Sequence, residues 1–264
     1  MATSHESPAS LRLRPSERHR SRAVRWAGIV AATIVIGSVL PFAVVQVAGT
    51  VAPLLFPAPR TVGAFRVYAD GPLPETLARD VFVADSMVES QGGTIPRGLA
   101  VYLCSSPLRF AAVAVRSANG IFGLYSPLGP RIVVAPASLE MAPSGTDGAS
   151  FLAVVLAHEA GHAIVAQQLT LWEHTLLPQW KREGMASLFA PPAGGSARPY
   201  GFAYGWESRE YFRARVEMTF LRDVEHRSLR EMARDRRHES DLAARVYYAV
   251  ASSARPDFLD AALP

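Results

Sequence analysis

The chain has a single cysteine, Cys104, so no disulfide can form within it. Cys104 closes an apolar strand-like stretch, Leu99–Cys104, where a thiol reads as a small buried hydrophobe rather than as a nucleophile. Lysine is as scarce: Lys181 is the only one, and arginine carries the remaining basic charge. No internal repeat is present, which excludes a solenoid or propeller. No G-x-x-x-x-G-K-[ST] stretch occurs either, so a P-loop ATPase is excluded. Outside the N-terminal tail the chain also lacks net charge. Residues 1–25 hold six Arg against Glu6 and Glu17, a net of +4 that equals the formal charge of all 264 residues. The high isoelectric point therefore belongs to one tail, and a nucleic-acid-binding body is not indicated.

That tail, rich in Ser and Arg with Pro8 and Pro15, reads as disordered. From Trp26 to Phe56 there is no charged residue, and Ile29 to Leu40 is continuously apolar or small. About 20 such residues span the hydrocarbon core as a helix, so 26–56 is predicted to be a transmembrane signal-anchor, with Pro41 as a kink. Positive charge on its N-terminal side predicts a cytoplasmic tail and an extracytoplasmic remainder. The alternative is secretion after cleavage near the small residues at 48–50; the apolar run is longer than a cleavable signal needs, which favours the retained anchor. Pro57 and Pro59 mark 57–63 as a short stiff linker.

Residues 64–254 read as one α+β domain, and 255–264 as a C-terminal tail. Strands are predicted at Phe65–Ala69, Leu99–Cys104, Ile121–Tyr125 and Arg131–Ala135, the last two joined by the turn Ser126–Pro130. Helices are predicted over 74–90 and 107–117, then, after a Gly/Ser/Asp loop with Asp147 or Ser150 as N-cap, from Phe151 onward. A Gly/Pro segment at 191–201 is a candidate lid, and 203–223, 226–237 and 239–253 read as three helices.

The helix from Phe151 contains His158-Glu159-Ala160-Gly161-His162 inside an apolar, proline-free run. Histidines four residues apart lie about 40° apart around a helix, one turn above the other, so both imidazoles can reach one divalent ion. Glu159 projects beside them, where a carboxylate can take a proton from an attacking water. Burying these groups in an apolar run without a metal or partners would be costly, which argues against a chance pattern. A third protein ligand is still needed. Glu183 is the candidate, twenty intervening residues after His162, on a second helix started by Pro178; the small Gly184 and Ala186 would let that helix approach the first.

His158-Glu159-x-x-His162 followed by Pro178-x-Trp180-x-x-Glu183-Gly184-x-Ala186 resembles the gluzincin branch of the zincin metallopeptidases, in particular the small peptidase MA-like group. The resemblance covers about 120–235. It implies a small zincin-like domain, with a β-rich N-terminal part whose sheet edge lies over the H-E-x-x-H helix and a helical C-terminal part. It implies Zn²⁺ on His158, His162 and Glu183, Glu159 as general base, and a peptide or protein substrate that adds to the sheet edge as a strand. Otherwise those strands serve only to cover the helix's apolar back. Ser187 stands where many gluzincins carry an Asp that orients a zinc-bound His. The family's oxyanion donor, a Tyr or His after the third ligand, points first to Tyr211 and then to Tyr204, with His174 and His226 as outsiders. Three alternatives stay open. The local motif is also similar to that of membrane-bound ATP-dependent proteases, for which Asp235 would be the third ligand; the others are an inactive zincin-like scaffold at the membrane and a zinc hydrolase of non-peptide acyl bonds.

Overall fold

The computed structural model describes residues 51–140, 150–190 and 209–252, with backbone alone at 209–211 and 250–252, and a few isolated positions between 26 and 50. The chain divides into two compact units, 1–45 and 46–264.

The second unit is framed by a five-stranded sheet: β1 (Arg60–Val62), β2 (Phe65–Ala69), β3 (Leu99–Leu103), β4 (Gly123–Ser126) and β5 (Arg131–Val134), in the order β1-β2-β3-β5-β4. The central β2–β3 and β3–β5 pairs are parallel and the two outer pairs antiparallel. A parallel pair needs a crossover, and helix α1 (Leu77–Ser90) supplies the one from β2 to β3. Helix α2 (Pro107–Ala114) lies on the way from β3 to the β4–β5 hairpin, opened by Ser106, whose hydroxyl accepts from the Arg109 N–H.

Both faces are covered, which is why β3 and β5 read as nearly continuous apolar runs. Leu99, Val101, Leu103, Ile132 and Val134 face a core shared with Leu77, Val81, Ala84 and Val88 of α1. Tyr102, Cys104, Val133 and Ala135 face a smaller cluster with Phe110 and Val113 of α2. Cys104 is fully buried there, and burial, aided by Asp70, pushes its thiol up to about 12, as expected of a packing residue. Buried Arg131 donates to the carbonyls of Leu128 and Gly129, pinning the predicted hairpin turn.

Two features near the start of this unit were not foreseen. The end of the predicted span forms a short 3₁₀ turn, Ala52–Leu55, and Ala52 and Phe56 are buried against Tyr102 and its neighbours. The predicted linker contains β1. Among the described residues no helix is long and apolar enough to cross a membrane; the span predicted from Trp26 lies almost wholly outside them, as does the tail 1–25.

After α3 (Pro136–Glu140), helix α4 (Phe151–Gln167) begins at Ser150, whose hydroxyl accepts from the Ala153 N–H; the alternative cap Asp147 lies outside the described residues. Every residue from Phe151 to Val165 is buried, so the helix is apolar all round rather than amphipathic. Large side chains such as Phe151 and Leu156 each contribute about 1.5–3 kcal/mol by burial. Then come α5 (Leu171–Leu176), α6 (Gln179–Ser187), α7 (Arg209–Asp223), α8 (Leu229–Arg234) and α9 (Glu239–Ser252). Helix α6 is wedged between α4 and α7. A Cβ on Gly161 of α4 would stand 2.5 Å from the Ala186 carbonyl oxygen, and one on Gly184 would stand 2.6 Å from that of Ala214 in α7. Gly184 thus serves the contact with α7, not the approach to α4 expected of it; Gly161 and Ala186 make that one. Buried Lys181 of α6 donates to the carbonyls of Met232 and Asp235, capping the C-terminal end of α8.

Helix α7 is buried from Ala214 to Leu221, including Glu217, whose two oxygens have no hydrogen-bond partner among the described residues. Burial, then Glu239, push its carboxyl up to about 7, against the pull of Arg213 at 3.8 Å. The group therefore stays neutral in the fold up to about 7 while the unfolded chain ionises it from about 4.5, so its cost to folding is absent below 4.5, builds between the two values and is complete above 7. Glu217→Gln should leave the thermal midpoint unchanged at pH 4.5 and raise stability by about 1–3 kcal/mol at pH 8.5. Melting curves at the two pH values check this; an equal gain at both would show that ionisation is not the cause.

Candidate metal centre

The i, i+4 spacing stacks the imidazoles of His158 and His162 one turn apart, their ring centroids 4.9 Å apart and their planes at 89°. The close contact at Gly161, inside the motif, brings α6 across the same turn. Glu183 Oε2 then stands 3.3 Å from His158 Nε2 and 3.2 Å from His162 Nε2. These are the three predicted ligands, and their donor atoms all lie within 4.8 Å of one another, the one such group of three among the described residues. Tetrahedral coordination with bonds of about 2.0–2.2 Å puts ligand atoms about 3.3 Å apart, so two nitrogens and one carboxylate oxygen fit a divalent cation.

Ser187, which stands in place of the expected Asp, still reaches the ring: its Oγ lies 3.4 Å from His158 Nδ1, while Nε2 of the same ring meets Glu183. Burial pushes the Glu183 carboxyl up, but His162 and His158 outweigh it and hold the group well below the usual carboxylate range. Glu159 differs. Burial raises its pKa despite His162 and His158, with Glu183 adding to the rise and the Tyr125 N–H opposing it. Glu159 is 5 % exposed, its Oε2 has no hydrogen-bond partner among the described residues, and it stands outside the ligand group. The two carboxylates thus sit in different environments, one held ionised against the imidazoles and one desolvated beside them.

A cleft of about 560 Å³ opens over these groups. Helix α4 forms its floor with Val155, His158, Glu159 and His162. One wall is β4 with the loop from Arg116 to Phe122, and the other is α5 and α6 with His174, Thr175, Gln179 and Arg182. Strand β4 ends the sheet order, so among the described residues no strand pairs with its outer edge, and its residues Gly123, Leu124 and Tyr125 line the cleft. It can lie this close because residue 123 is glycine: a Cβ there would stand 2.8 Å from Glu159 Oε1 and 2.7 Å from Val155 Cγ1.

The other candidates separate clearly. His174 is buried in the cleft wall with neither ring nitrogen hydrogen-bonded among the described residues. Its ring meets that of Tyr125 edge-on at 6.3 Å, and Tyr125 is nearly parallel to His162 at 6.5 Å. Burial, then His162 and Arg182, push its pKa down to about 4 against the pull of Glu183, so it is neutral at physiological pH. A Thr170–Glu173 capping box and an Arg234–Glu173 ion pair fix the short helix that carries it. His226 occupies an exposed turn after α7 and does not line the cleft. Asp235 is not brought to the histidines; its carboxylate pairs with Arg237 at the end of α8. Tyr211 lies at the start of α7, where only the backbone is described, and Tyr204 and the 191–201 loop lie outside the described residues. Sequence reasoning passed over Tyr125 and Gly123. The turn at Ser126–Pro130 and the alternation before it held the available signal, since they place residues 123 and 125 on one face of an edge strand.

Comparison with protein-family models, with curated proteins and with solved structures gives no match.

Metal analysis of the purified chain should find near one divalent ion per molecule, lost in His162→Ala and in Glu183→Ala but kept in Asp235→Ala. Gly161→Ala retains every ligand yet must push α6 outward; metal affinity should fall about tenfold or more. Competition with a chromogenic chelator measures it, and an unchanged affinity would show that the helix contact does not set the site.

Proposed function

We propose that this chain is a zinc-dependent peptidase with a small zincin-like domain of the gluzincin type. The observation that carries the reading is the meeting of His158, His162 and Glu183 at ligand spacing, with the proton-exchanging Glu159 beside them rather than among them. The nitrogen and oxygen donor set suits Zn²⁺. Bound there, zinc supplies Lewis-acid polarisation of a scissile carbonyl and makes water nucleophilic near neutral pH.

The chain's own residues account for the rest. Glu159 takes the proton of the attacking water and returns it to the leaving amine; its burial and raised pKa suit both transfers. Ser187 keeps the His158 ring oriented through Nδ1. The free edge of β4 offers backbone donors and acceptors to an extended peptide laid along the cleft, with Gly123 letting that strand ride directly over Glu159. Of the side chains expected to stabilise the developing oxyanion, His174 is the one that the described residues bring to the cleft, neutral and with an N–H to give. The substrate is a peptide or protein. The uncharged run from Trp26 supports attachment to a membrane as a single-pass anchor, with the domain on the extracytoplasmic side.

Glu159→Gln should keep the metal and lose peptide hydrolysis by a factor of about 10²–10⁴ or more. His174→Ala should lower kcat about ten- to a hundredfold with little change in KM. Cleavage of a peptide library, followed by mass spectrometry alongside metal content, measures both. Retained hydrolysis in the metal-loaded Glu159→Gln protein would sink the proton-transfer assignment.

A further inference from the structure

The cleft over the candidate metal centre carries two cationic side chains that the metal chemistry does not use. Among the described residues lining it, the only acids are Glu159 and Glu183, and the two remaining ions are both guanidiniums. They stand on opposite walls. Arg182 belongs to α6, about one-third exposed, with its Nε 3.9 Å from Glu183 Oε1 and no other ion pair among the described residues. Arg116 is exposed on the loop that leads to β4, with no ion pair among the described residues.

The backbone sets Arg116 where it is. Helix α2 ends on Val115 with φ of 53°, a left-handed conformation that a β-branched residue seldom adopts. That reversal turns the following loop over the cleft, and strain of this kind is retained where the surrounding structure has a use for the position it fixes. A dication on the three ligands would offset the charges of Glu159 and Glu183, leaving the two guanidiniums uncompensated at the walls of a concave space. There a carboxylate can be met by planar, two-pronged donors. The body of the chain from residue 26 onward has no net charge, so this local excess is not the reflection of a basic protein.

We infer that the cleft selects substrates bearing a carboxylate next to the bond at the metal, held between Arg116 and Arg182. The inference rests on the peptidase reading for what the bound molecule is, but its test does not require turnover. The carboxylate can come from an Asp or Glu side chain or from a free C-terminus, and the two sources are distinguishable.

The test is titration calorimetry with the full-length, zinc-loaded Glu159→Gln protein and unlabelled peptides acetylated and amidated at their ends, identical except for a central Glu, Gln or Lys. A fourth peptide has the central Gln and a free C-terminal carboxylate. The Glu peptide should bind about tenfold or more tightly than the Gln peptide and still more tightly than the Lys peptide at low ionic strength, with the advantage shrinking as salt shortens the Debye length below about 10 Å. A gain confined to the free-carboxylate peptide would assign the site to chain termini. In the Arg116→Gln, Arg182→Gln double variant the Glu-to-Gln ratio should fall to near one, and Arg116→Glu should shift preference towards Lys. Metal content and melting point establish that the variants are folded. Equal binding of the Glu, Gln and Lys peptides, no binding of any, or a preference that survives loss of both arginines would overturn the inference. Wild-type protein given the same peptides separates the two claims: selective binding without cleavage removes the peptidase reading alone, and cleavage without selectivity removes this inference alone.

Discussion

The site depends on one contact between helices: the backbone of Ala186 resting against Gly161 at a distance no side chain would permit. Gly161 lies inside the H-E-x-x-H segment itself, so the turn that stacks the imidazoles is also the turn against which α6 packs. Helix α6 contributes Glu183 one turn before Ala186, and rigid helix geometry converts the backbone contact into the position of a carboxylate oxygen. The other side of α6 is fixed in the same way by Gly184 against Ala214. A ligand held between two backbones in close contact has little freedom to drift, which suits a centre whose geometry must hold to tenths of an ångström.

Around that contact the fold concentrates electrostatic cost and then divides it. Helix α4 is buried from Phe151 to Val165, an expensive place for two imidazoles and a carboxylate, with a second carboxylate brought in by α6. Glu183 is compensated by the imidazoles and remains ionised, whereas Glu159 keeps one oxygen without a hydrogen-bond partner among the described residues. The glycine at 123 lets an edge strand close over Glu159 without displacing it, so the same residue is desolvated and yet stays beside an open cleft. The layered arrangement makes this possible, since the sheet's other face is covered by α2 and the 3₁₀ turn and, among the described residues, no strand adds to its edge at β4.

How much of this was legible in the sequence differs by element. The grouping of His158, His162 and Glu183 was legible because two histidines at i, i+4 share a helix face and a second helix after Pro178 offers a carboxylate to them; Glu159 was legible by its place between the two histidines. Phe65–Ala69 showed through alternation, and Leu99–Leu103 through a short apolar run. Short elements did not: β1 has three residues behind two prolines, and α3 and α5 have five and six, too few for a period to register. Small residues revealed that helices would touch but not which ones, so Gly184 was paired with α4 when it faces α7. His174 was named only as an outsider because nothing local marks a histidine as buried without partners; that fact arises from the packing of α5 against β4 and α4. The expectations at Tyr204 and Tyr211 and in the apolar run from Trp26 fall where side chains or whole segments are outside the described residues.

The burial of Lys181 has a practical corollary. It is the sole lysine of the chain, and it is enclosed beneath the end of α8 with its ammonium engaged by two carbonyls. Amine-directed chemistry, whether acylating labels, cross-linking esters, aldehyde fixation or enzymatic attachment of modifiers to lysine, would find no accessible ε-amino group on the folded protein. Reagents aimed at guanidinium or carboxylate groups would instead see a surface dense in targets, and modification of Lys181 would report on opening of the α6–α8 junction.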